Sequence, residues 1–160
     1  MAELRGQRGA VLAAGMLAAL SAAGCGVTRE KRGLTRAQFV ASADAVCRHE
    51  QAKLAYIAAR AHRLSRALTA PRVIRQQVAQ SRLATATLEA QPEPPGDAGA
   101  ITRWLTARTV AATVAIDLAE APAKGETTAV DDVRAELSAA QARARGLALA
   151  YGSRVCGETD

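Results

Sequence analysis

The sequence predicts an all-α fold, an up-down-up-down four-helix bundle whose first helix is the longest. Apolar residues recur at alternating steps of three and four through four separate stretches, the spacing of a single buried helix face. Proline and glycine fall between those stretches, where they stop helices and turn the chain. The connections are short, and short connections make consecutive helices antiparallel neighbours. With 160 residues, 49% of them hydrophobic, the chain suits one domain with a core, and only 2% are aromatic. Most of the apolar content is alanine, which favours close helix packing.

The first helix is expected over 35–69. Thr35-Arg36-Ala37-Gln38 has the form of a capping box, and Leu34 with Phe39 has the spacing of a hydrophobic staple. Val40, Ala43, Cys47, Leu54, Ile57, Ala61, Leu64 and Leu68 make its seam, interrupted by Glu50. At the usual rise this helix is about 50 Å long, and the other segments are expected to fold back along it.

Pro71 opens a second helix over 71–90, at a first-turn position where its missing N–H costs nothing. Ile74, Val78, Thr85 and Leu88 mark its face, and Gln91-Pro92-Glu93-Pro94-Pro95-Gly96 ends it in a stiff turn. Asp97 is placed to cap a third helix over 97–121, with Ile101, Trp104, Ala107, Ala111, Val114 and Leu118 on one face. Pro122 and Gly125 stop it. Thr127 or Thr128 then caps a fourth helix over 128–151, with Val130, Val133, Leu137, Ala140, Ala144, Leu147 and Tyr151 on one face and Gly152 at its end.

The N-terminal segment points to export. Arg5 and Arg8 precede an uncharged run from Gly9 to Ala23, and small residues lead into Cys25, the three regions of a secretory signal. The run is too short to span a bilayer comfortably. Ser21-Ala22-Ala23-Gly24-Cys25 resembles a bacterial lipobox, which implies cleavage before Cys25 and a lipid on its sulfur. The chain then divides into a signal peptide over 1–24, a lipidated cysteine and tether over 25–34, and the bundle over 35–160. The competing reading is an ordinary secreted protein in which Cys25 is incidental. Arg29, Lys31 and Arg32 in the tether would lie against anionic headgroups or simply be solvated.

Three cysteines are odd for an exported protein, and assigning Cys25 to lipid leaves Cys47 and Cys156 to form a disulfide. Helix lengths agree. The fourth helix should end about 20 Å above the start of the first, and Cys47 stands about 18 Å up it. The same arithmetic leaves Phe39, Val40 and Val46 poorly covered, to be met by the C-terminal tail, the lipid interface or a partner.

The lipobox-like Cys25, the Ala-Gln-Phe-Val-Ala-Ser-Ala-Asp-Ala-Val-Cys segment over 37–47, Pro-Glu-Pro-Pro over 92–95 and Tyr-Gly-Ser-Arg-Val-Cys-Gly over 151–157 occur together. As a set they resemble a group of small lipoproteins predicted in high-GC Gram-positive bacteria. The resemblance covers essentially the whole chain after the signal. It implies location and fold, and it carries no catalytic residue.

Residues for chemistry are sparse. Glu-x-x-His and Cys-x-x-Cys-His are absent, Met1 and Met16 both lie in the signal, and His49 and His62 fall on different faces of one helix, so neither a metal nor a haem is expected. No nucleophile elbow or phosphate-cradling loop occurs, so the chain does not read as an enzyme and calls for no cofactor. Glu50 on an apolar seam either carries a function or pairs with Arg143 or Arg145 of the fourth helix, and the pair is the favoured reading.

Arg60, Arg63, Arg66, Arg72 and Arg75 gather at the turn between the first two helices, a surface for an anionic envelope polymer or an acidic protein, or simply a solvated end. The net charge of +6 and pI near 9.9 permit such partners without choosing among them. Nucleic acid is not expected, since Phe39, Tyr56, Trp104 and Tyr151 provide no stacking platform. The sequence therefore leads to an extracytoplasmic, membrane-tethered binding or structural module. A carrier of a small apolar ligand is the alternative, and it requires a cavity larger than alanine-rich packing should leave.

Overall fold

The computed structural model describes residues 33–121 and 127–158; the segment expected to be a signal peptide and Cys25 lie outside the described residues. Within them are four α-helices and no strand: α1 (Arg36–Arg63), α2 (Pro71–Glu89), α3 (Ala98–Glu120) and α4 (Thr127–Tyr151). Among the described residues no helix is long and apolar enough to cross a membrane.

The capping box forms at the start of α1. Thr35 Oγ1 accepts from the Gln38 N–H at 3.2 Å, and Gln38 Oε1 accepts from the Thr35 N–H at 2.9 Å. Leu34 packs on the cluster that contains Phe39, as a staple requires. At its other end α1 stops at Arg63, six residues short of the expected boundary. The cause is local. The Arg66 N–H reaches the Ala61 carbonyl and the Ser65 N–H reaches the His62 carbonyl, a Schellman closure that holds Ser65 at φ 50° without a glycine to signal it. Leu64 and Leu68, expected on the seam, are therefore 49% and 51% exposed.

Pro71 occupies the first helical turn of α2, as expected. Asp97 stands at the N-cap of α3 but its side chain does not cap. It accepts instead from the Tyr151 hydroxyl at 2.9 Å. α4 ends in a second Schellman closure, with the Ser153 N–H on the Ala148 carbonyl, the Gly152 N–H on the Leu149 carbonyl, and Gly152 at φ 106°. What caps α4 lies outside the described residues.

Packing runs in sequence, α1 on α2, α2 on α3 and α3 on α4, while α1 meets α4 at one end, through Arg36 and Phe39 against Tyr151. The helix that organises the fold is thus α3 rather than α1. Phe39 of α1, Leu88 of α2, Ile101 and Trp104 of α3, and Tyr151 of α4 form one core cluster, so the start of α1, the end of α2, the start of α3 and the end of α4 meet at one end. Phe39 is 0% exposed, edge-on to Tyr151 with ring centroids 5.8 Å apart, and Tyr151 in turn stacks on Trp104 at 6.3 Å. Phe39 is thus not poorly covered, contrary to the expectation from helix lengths: Tyr151 of α4 packs over it, and its burial contributes about 2 to 3 kcal/mol.

The C-terminal tail is fixed to α1 by residues spaced three and four apart on one helix face, Asp44, Cys47 and Gln51. The Asp44 carboxylate accepts from the buried Ser153 hydroxyl at 2.6 Å and from the Val155 N–H at 3.2 Å. Gln51 Nε2 donates to the Val155 carbonyl at 3.1 Å. Between them Cys47 and Cys156 form the expected disulfide, with Cα atoms 5.3 Å apart.

Tyr151 gives the fold a measurable alkaline limit. Burial first, and then the hydrogen bond to Asp97, push its hydroxyl from 10.0 up to about 12. A group whose ionisation is raised in the folded state stabilises fully below its unfolded value and loses that contribution as the pH rises through the folded one. Stability should therefore fall between pH 10 and about 12. Thermal melts across that range should show the loss, and Tyr151→Phe should remove this component of it. An unchanged pH profile in the variant would assign the alkaline limit to other groups.

Candidate functional site

Away from the Phe39–Trp104–Tyr151 end, the outer helices lose their cover. Beyond Cys47, only Ala61 of α1 is buried, and among the described α4 side chains before Ala144 none is. Alanine is the reason on the inner wall. α3 presents Ala111, Ala112 and Ala115 where larger residues would fill the space, and α1 and α4 do not close over them. The result is an open cavity of about 490 Å³ reached by all four helices and the C-terminal tail. Leu54, Ile74, Val78, Leu118 and Leu137 make its walls apolar, and Trp104 and the Cys47–Cys156 disulfide stand at one end.

A charged layer crosses that end. Arg108 Nη2 of α3 donates to Glu50 Oε2 of α1 at 2.6 Å, with the two side chains only 13% and 9% exposed. Arg108 Nε donates to Thr85 Oγ1 of α2 at 3.0 Å, and the Thr85 hydroxyl donates on to the Ser81 carbonyl at 2.9 Å. The third nitrogen, Nη1, lies 3.9 Å from Cys47 Sγ. One arginine thus ties three helices together beside the cavity.

Glu50 is in an ion pair, as favoured from the sequence, but the partner differs. Arg143 is exposed and Arg145 is half-buried on the cavity wall, while Arg108 takes the carboxylate, because α3 rather than α4 faces this part of α1. Arg108 was legible in principle: it interrupts an apolar helix face as Glu50 does, and two interruptions of opposite charge are natural partners. Asp44 and Gln51 were likewise legible as polar residues on the face that carries Cys47.

The five arginines of the basic end, Arg60, Arg63, Arg66, Arg72 and Arg75, are all exposed around the α1–α2 connection. Among the described residues none of them is in an ion pair. Arg60 and Arg63 complement the carbonyl end of α1, whereas Arg72 sits in the first turn of α2, where a cation opposes the helix dipole. His49 and His62 are both exposed, and among the described residues no group of three or more His, Cys, Asp or Glu side chains could hold a metal ion. His49 borders a second groove of about 420 Å³ between α1 and α2, where Leu83 is exposed. Comparison of the chain with family models, with curated proteins and with solved structures finds no match.

Proposed function

We propose that this chain is a lipid-anchored extracytoplasmic protein of the cell envelope, tethered through Cys25, that binds a small, largely apolar molecule between its helices and is not an enzyme. The observation that carries this reading is the cavity of about 490 Å³, a volume within the range of ligand sites and larger than alanine-rich packing should leave. The up-down-up-down connectivity belongs to the same proposal and is supported by the alternate helix ends that meet around Tyr151. The basic end is a second contact surface, for an anionic envelope polymer or an acidic protein, supported by arginines that, among the described residues, are in no ion pair and by the position of Arg72.

An uncharged apolar fluorophore such as Nile red tests the cavity. Its emission should rise on addition of the protein and saturate at one site. Ala115→Phe fills the cavity from the α3 wall and should abolish that rise while leaving the helical circular dichroism unchanged. Undiminished binding by this variant would place the ligand elsewhere. Intact mass of the protein extracted from its native membrane tests the tether: the expected species begins at Cys25 and carries lipid, and an unlipidated chain would make it a secreted protein.

A further inference from the structure

We infer that the cavity takes a single-chain amphiphile with an anionic head, held with its head against Arg145 and its chain along α3. This rests on the cavity reading above and adds the chemistry of the ligand. The charged groups of the cavity are confined to one end of its α3 wall. The charged groups Glu50, Arg108, Arg145 and Glu158 stand at the disulfide end, and beyond Arg108 the α3 wall is Ala111, Ala112, Ala115 and Leu118.

The two ends of that wall fix the length. Arg108 and Leu118 are about 15 Å apart along the helix, close to the extended length of a dodecyl chain. The opening between α1 and α4 lets such a chain enter sideways, without threading past the closed end at Phe39 and Tyr151.

Charge fixes the head. Glu50 and Arg108 neutralise one another at 2.6 Å. Glu158 is exposed, so its charge is spread into solvent. Arg145 is half-buried on the cavity wall and, among the described residues, in no ion pair. A half-desolvated guanidinium without a carboxylate favours an anionic oxygen partner, which it binds through two parallel N–H groups. Arg108 Nη1, with only sulfur at 3.9 Å, offers a further donor in the same layer.

Titration of Trp104 fluorescence in the intact protein tests this, since the chain has one tryptophan and it lines the cavity. The ligands are dodecanoate, dodecanol and dodecyltrimethylammonium, each below its micelle concentration. Dodecanoate should bind at least about tenfold more tightly than the cation, a difference of about 1.4 kcal/mol. Arg145→Gln should bring dodecanoate down to the affinity of dodecanol and leave dodecanol unaffected, and Arg145→Lys should restore part of the preference.

Equal affinity for all three ligands, or no effect of Arg145→Gln, would overturn the head assignment and leave the apolar cavity standing. Binding by none of them would overturn both.

Discussion

Replacing both cysteines, Cys47→Ser with Cys156→Ser, should lower the unfolding free energy by about 5 kcal/mol. The disulfide joins residues 109 apart in sequence, so nearly the whole described domain lies inside the loop it closes. Without it, the unfolded chain gains the freedom of that loop while the folded state keeps its polar fastenings. Ser153 and Val155 still bind Asp44, and Gln51 still holds the Val155 carbonyl. The variant should therefore fold and fail early. A loss of this size is much of the stability of an ordinary domain, which is about 5 to 15 kcal/mol. Urea unfolding followed through Trp104 measures it, since that side chain is 1% exposed and sits in the cluster that includes both cysteines. A change under about 1 kcal/mol would mean that Asp44 and Gln51 alone hold the tail, or that the unfolded chain keeps the two segments close.

Glu50→Leu should cost about 3 kcal/mol, because it leaves the Arg108 guanidinium nearly buried without its carboxylate. Arg108→Leu should cost a similar amount and should also release the Thr85 hydroxyl from the bond that joins α2 to α3. Combining the two substitutions should recover most of the loss. Two apolar side chains then occupy the space of an ion pair whose desolvation was itself expensive. The four proteins form a double-mutant cycle, and the coupling read from their denaturant midpoints is the expected result. Strict additivity would show that the pair contributes nothing beyond its separate residues. The double variant also separates structure from binding: if it is stable and still takes dodecanoate, the pair is a fastening, and if it is stable and empty, the pair belongs to the ligand site.

The helical class and most boundaries were legible because the signals are local. The Thr35–Gln38 box, Pro71 and Gly152 each act on backbone groups within a few residues, so their effect does not depend on tertiary packing. Cys47 and Cys156 were legible for a different reason, a count of thiols in a chain that reads as exported. The end of α1 was not, because its Schellman closure holds a serine, Ser65, in a conformation that usually advertises itself with glycine. The side chain of Asp97 was misassigned because a cap is a local choice and the Tyr151 hydroxyl is a distant competitor for the same oxygens. The cavity was the least legible feature. An alanine on a helix face reads equally as a site of close approach or as a missing wall, and only the sparse packing of α1 on α4 away from the Phe39–Tyr151 end decides between them.

The position of the disulfide also sets how the protein bears load. A pull applied at the two ends of the chain runs through the first turns of α1, crosses from Cys47 to Cys156, and leaves by the last few residues. The rest of α1 and all of α2, α3 and α4 lie off that line. Tension applied across residues 36 and 158 would therefore be carried by a covalent bond, and the cavity would keep its shape while the chain around it is stretched.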